Sequence, residues 1–185
     1  MKTFELVALS VVLAVFLVSL VTGLTHPAPL EEVEEQVSVL TEPVLRSEDV
    51  VSRVLGLLSV ILYNNIGVSV RCVALGFTLV YPTYVVYVNG YILGSIVNIV
   101  GRTSIALVPH GTIELPVIVY SGYLGTRLGI VALVAIYSKL LGKKGADLSR
   151  EFWVTLVKLR PVPLLLSIAA VLEVFVSLPI SYMLR

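Results

Sequence analysis

The chain has 185 residues, of which 57% are hydrophobic and 14% charged, with a net charge of +1 and a mean hydropathy of +1.00. A soluble domain is about 45–50% apolar and about 25% charged, so a soluble globule and a disordered chain are both excluded. The near-neutral charge carries no nucleic-acid signature, and the length suits a single membrane domain spanning residues 1–185.

Leu6–Leu24 is an uncharged apolar run preceded by Lys2. As a helix it measures roughly 28 Å, close to the hydrocarbon thickness. It is longer than a signal-peptide core and lacks a small-residue cleavage site, so it reads as a retained, lipid-facing first transmembrane helix over 6–24. Residues 25–53 follow with seven acids and two bases. Within them Leu30, Val33, Val37, Leu40 and Val44 fall on one helical face. That predicts an amphipathic helix that caps the bundle or docks an outside partner. Ser47, ahead of Glu48 and Asp49, is the expected N-cap of the second membrane helix.

The core over 54–138 holds three apolar blocks, Val54–Val80, Thr83–Val100 and Thr112–Ser138. The first contains Asn64, Asn65, Gly67, Arg71 and Cys72. Cys72 is the single cysteine, so no internal disulfide forms, and it reads as a small buried hydrophobe. The second contains Asn89-Gly90 with Gly94. This spacing lets helices approach closely, as do Gly125 and Gly129 in the third. Packing within one bundle is the first reading of these glycines, ahead of a homodimer seam.

Pro109-His110-Gly111-Thr112-Ile113-Glu114-Leu115-Pro116 opens the third block. His110 and Glu114 share a helical face. Pro116 frees the Thr112 carbonyl and Gly111 permits non-helical backbone, so an irregular entrance is expected. Glu114 needs a partner at membrane depth, and Arg71, Arg102, Arg127 and His110 are the candidates.

Residues 139–160 carry six bases and two acids and form a basic loop. The last membrane helix, over 161–185, contains Glu173, expected to face the bundle and there either to carry function or to pair with an arginine of another helix. The positive-inside bias puts 139–160 in the cytoplasm and 25–53 outside. An odd number of crossings must join them, which gives about five passes, N-terminus in and C-terminus out. The expected fold is therefore an all-α polytopic membrane bundle with broken or re-entrant segments.

The chain is poorly equipped for chemistry. His110 and Glu114 supply two metal ligands where zinc takes three or four, and His26, the other histidine, lies in the outer segment. There is no HExxH arrangement, phosphate loop or nucleophile elbow. No catalytic, cofactor-binding or metal residue is expected.

Asn64-Asn65, Asn89-Gly90 with Gly94, and His110-Gly111 with Glu114-Leu115-Pro116 together resemble the stage II sporulation protein M family over roughly Leu55–Gly129. The resemblance implies a polytopic component of a complex with two peptidoglycan-degrading enzymes, active in membrane migration during spore engulfment and without catalysis of its own. The family extends to archaea without peptidoglycan. The Val- and Tyr-rich, Gln-poor composition suits such a heat-loving source, where only the membrane core is inherited.

The first functional reading is thus a non-enzymatic plasma-membrane scaffold. Its partners are lipids, a second copy of the chain (a dimer) and other membrane or extracytoplasmic proteins. The second is a transporter or channel subunit using Asn64, Asn89, His110 and Glu114. An intramembrane enzyme with His110 and Glu114 as acid and base ranks third.

Overall fold

A backbone surrounded by lipid must satisfy its own hydrogen bonds, so a chain this apolar folds as helices. The structure, a computed structural model, describes residues 2–29, 31, 44, 49–143 and 145–183, and no strand occurs among them. The amphipathic helix expected from Leu30 to Val44 lies largely outside the described residues.

Helix α1 is Lys2–Thr25, α2 is Val50–Ala74, α3 is Val80–Val100 and α4 is Val108–Leu140. Short 3-10 turns at Gly76–Thr78 and Gly101–Leu107 join α2 to α3 and α3 to α4. Next come α5, Leu148–Leu159, and α6, Pro161–Leu172. A π-helical stretch, Glu173–Ser177, then leads into α7, Leu178–Met183.

Among the described residues, four continuous helical stretches are long and apolar enough to cross a membrane: Thr3–Thr25, Val50–Ala74, Val80–Leu140 and Leu148–Ile180. The third has 61 residues, roughly 90 Å at 1.5 Å per residue, three times the hydrocarbon thickness. It is folded at Gly101–Leu107, so α3 and α4 pack antiparallel: Gly122 lies against Val86, Gly125 against Pro82 and Gly129 against Leu79. This agrees with the expectation of about five passes.

Other contacts fix the remaining directions. Gly90 meets Phe16 and Ser19 while Gly94 meets Leu20, Gly23 and Leu24, so α1 and α3 run parallel. Gly125 touches Cys72 and Gly129 touches Gly76, so α2 and α4 run parallel. His110 on α4 meets Ser177, and Glu114 lies near Glu173, so the final segment opposes α4.

The first helix is not the plain lipid-facing rod expected of it. Ala8, Val12 and Ser19 are fully buried, and Gly23 has no room for a side chain beside Tyr91 and Ser95. Its small residues form a seam for α3, while Leu6, Leu17 and Val18 face outward. Between helices in lipid the hydrophobic effect adds little, so such close van der Waals contact supplies the association energy. Gly90 and Gly94 are used up in this seam and Gly125 in another, in keeping with packing inside one bundle. A second core joins α2, α4, α5 and α6 through Val73, Leu124, Leu128, Leu159, Val162 and Leu166. Cys72 is buried as expected.

Three local expectations are corrected. Asp49, not Ser47, caps α2: its carboxylate accepts from Ser52 N at 2.9 Å and Ser52 Oγ at 2.9 Å. The entrance to α4 is regular, with Gly111 inside the helix and Pro116 accommodated within it. The irregular backbone falls earlier, at Gly101–Leu107, where Gly101 has φ 55°. The segment 139–160 is also not all loop. It contains α5, capped by Asp147, which accepts from Arg150 N at 3.1 Å.

The Asp49 cap makes the start of α2 sensitive to pH. The Ser52 backbone N–H and then the Ser52 hydroxyl hold its carboxyl below the ordinary aspartate value. A depressed carboxyl stabilises the fold above its unfolded value and loses that contribution as pH falls through the folded value. Amide protection over the first turn of α2, relative to the intrinsic exchange rate at each pH, is expected to fall below about pH 4, and the pH step to vanish in Asp49→Asn. An unchanged profile in that variant would refute the assignment.

Candidate functional site

Four polar residues of the middle helices, Asn64, Asn65, His110 and Glu114, gather near one end of the bundle, around the start of α4. His110 and Glu114, one turn apart, project toward the π-helical stretch. A ring nitrogen of His110 and one carboxylate oxygen each of Glu114 and Glu173 all lie within 4.8 Å of one another, and all three residues are half-buried. His110 Nδ1 is 2.7 Å from Ser177 Oγ. The Asn65 side chain from α2 lies beside the Glu114 carboxyl, and Asn64 Nδ2 donates to Asn65 Oδ1 at 3.2 Å. The expectation of only two potential ligands is therefore too low, because folding brings Glu173 to the pair.

The arginines proposed for Glu114 stand elsewhere. Arg127 lies 13 residues along the same helix, roughly 20 Å away. Its Nη2 donates to Glu151 Oε2 at 2.6 Å, and its Nε lies 3.6 Å from Glu5 Oε1. Lys158 Nζ reaches the same Glu5 oxygen at 3.5 Å. Arg71 turns its Nε back to the Gly67 carbonyl at 3.0 Å. Arg102 lines an apolar groove of about 1000 Å³ with Leu13, Phe16, Leu93 and Leu115. Among the described residues, no lysine or arginine forms an ion pair with Glu114 or Glu173. The expected arginine partner of Glu173 is replaced by His110 and Glu114.

The other motif residues hold the scaffold. Asn89 Nδ2 donates to the Val85 carbonyl one turn back at 2.8 Å, so its amide is spent on its own helix. Gly90 and Gly94 lie in the seam with α1. Gly111 faces the apolar groove, where Pro116 also lies. Asn98, outside the motif, ties α3 to the end of α1 by donating to Leu24 O at 2.7 Å.

Sequence reasoning missed Glu5, Glu151, Lys158 and Ser177. The first three close the opposite end of the bundle around Arg127, and no local pattern links residues so far apart in the chain. Ser177 had a signal: it stands four residues after Glu173, on the same helical face.

A family model described as Stage II sporulation protein M matches residues 6–178. No curated protein and no solved structure matches the chain.

Proposed function

Because the chain belongs to the stage II sporulation protein M family, we propose that it is a non-enzymatic membrane component that works by assembling with other membrane proteins, first of all a second copy of itself. The observation that carries this reading is the outward face of α2. Ser59, Leu62, Tyr63, Ile66, Gly67, Val70 and Arg71 line a shallow groove of about 680 Å³ there. Tyr63 is 85% exposed. Arg71 is exposed too, with its guanidinium folded back along the helix to Gly67. Ionisable groups on membrane helices face protein or water, because lipid penalises them. A cation beside an open glycine and a free tyrosine suits a surface that another helix covers. The partner helix would bring an acceptor for the Arg71 guanidinium.

Gly67 offers a clean test. A Cβ at this position would meet only Arg71 Nη2, at 3.6 Å. The Cβ meets no neighbouring helix, so a leucine there is expected to extend into the groove rather than into the bundle. Wild type in mild detergent is expected to run as a dimer by light scattering, and a Tyr63→Cys variant to crosslink between copies. Gly67→Leu is expected to run as a monomer with unchanged thermal stability. A monomeric wild type that captures no partner would overturn the proposal.

A further inference from the structure

We infer that His110, Glu114 and Glu173 bind one divalent transition-metal ion of the zinc type, bridging α4 and the last membrane segment. The donor set is one imidazole nitrogen and two carboxylate oxygens, already within 4.8 Å of one another. Zinc takes nitrogen and carboxylate ligands at about 2.0–2.2 Å, so small side-chain movements bring three such atoms onto one ion. A mixed nitrogen and oxygen set favours zinc, manganese or iron over calcium and magnesium, which prefer all-oxygen shells.

Two further observations point to a cation. The first is charge. Two carboxylates face each other in a half-buried position, and no lysine or arginine pairs with either among the described residues. At this separation in a half-buried site the two carboxyls cannot both ionise without cost, and a divalent ion would let both do so. The second is the surrounding shell. Metal-binding histidines are held through their other ring nitrogen, and metal-binding carboxylates are themselves hydrogen-bonded. Ser177 Oγ sits on His110 Nδ1, an arrangement that presents Nε2 to an ion when Nδ1 carries the proton, and the Asn65 side chain lies beside the Glu114 carboxyl.

The backbone explains how Glu173 and Ser177 come together here. The helix widens to a π turn over Glu173–Ser177, and π turns occur frequently at functional sites. The ion would clamp this widened segment to α4. Its role would be to hold the final helix in place, independent of anything that docks on α2.

The test uses the full-length, tag-free protein in detergent, stripped with a chelator and titrated with zinc chloride by calorimetry. One zinc per chain is expected. Glu173→Gln and His110→Gln are each expected to weaken binding at least about 100-fold, and Ser177→Ala by about 10–100-fold, as outer-shell losses do. If the substituted proteins fail to fold, X-ray absorption on zinc-loaded wild type still decides. It is expected to show a nitrogen and oxygen shell with a single imidazole and no sulfur. Substoichiometric zinc, affinity unchanged in the folded variants, or a shell containing two imidazoles or sulfur would each overturn the inference.

Discussion

Arg127→Ala is expected to lower stability by about 3–5 kcal/mol, the cost of removing one partner from a buried ion pair. Arg127 is 2% exposed and among the largest fully buried side chains. Its guanidinium joins three elements: α4, which carries it, α5 through Glu151, and α1 through Glu5. Alanine would leave the Glu151 carboxylate, only 12% exposed, facing a cavity without its cation. The Glu5–Lys158 contact is over a third exposed at both ends and adds little by itself.

Thermal unfolding in detergent measures the loss. The contrasting variant is Arg127→Met with Glu5→Gln and Glu151→Gln, which removes every charge of the Arg127 pairs together. Arg127 Nε and Nη1 have no hydrogen-bond partner among the described residues, so the network there is incompletely satisfied. An uncharged replacement of similar volume is therefore expected to recover most of the stability. Equal destabilisation by the single and triple changes would show that packing volume, not charge pairing, sets the cost.

The second large effect concerns glycine, and its sign reverses with position. Gly94→Ala is expected to cost about 3 kcal/mol or more, at the upper end of overpacking. The added Cβ would run into the α1 backbone at Leu20 O and, at 2.8 Å, Leu24 N. Backbone cannot move aside without separating α1 from α3, which have the most extensive interface in the bundle. Gly111→Ala is expected to stabilise by up to about 1 kcal/mol, because alanine is the better helix former. Its Cβ would meet only Leu115 Cδ1, at an ordinary 3.8 Å. Melting temperatures of the two variants read both signs. A loss at both positions, or at neither, would contradict the account of the α1–α3 seam.

The sequence was most legible where chemistry is one-dimensional. Apolar runs longer than about 18 residues can only be membrane helices. The charge imbalance between residues 25–53 and 139–160 predicts, by the positive-inside bias, an odd number of crossings between them. The antiparallel and parallel pairings of α1 to α4 agree with that alternation. The glycine spacing at Gly90 and Gly94 announced a close approach, though not its partner. Small residues in α1 were hidden by the hydropathy of their neighbours, since Ala8, Val12 and Ser19 scarcely interrupt an apolar run.

Partnership between distant residues was decided by tertiary structure alone. The sequence offered Arg71, Arg102, Arg127 and His110 as partners of Glu114, and of these it is the histidine that lies beside it. A helix separates residues by 1.5 Å each along its axis, and this carries Arg127 to the far end of α4. The antiparallel return of the last segment, widened at its π turn, brings Glu173 and Ser177 back to His110 instead. The sequence by itself determined that this is a helical membrane protein with polar groups that must find partners, because lipid leaves no alternative. Which groups meet was settled only by helix direction and register, which depend on packing across the whole bundle.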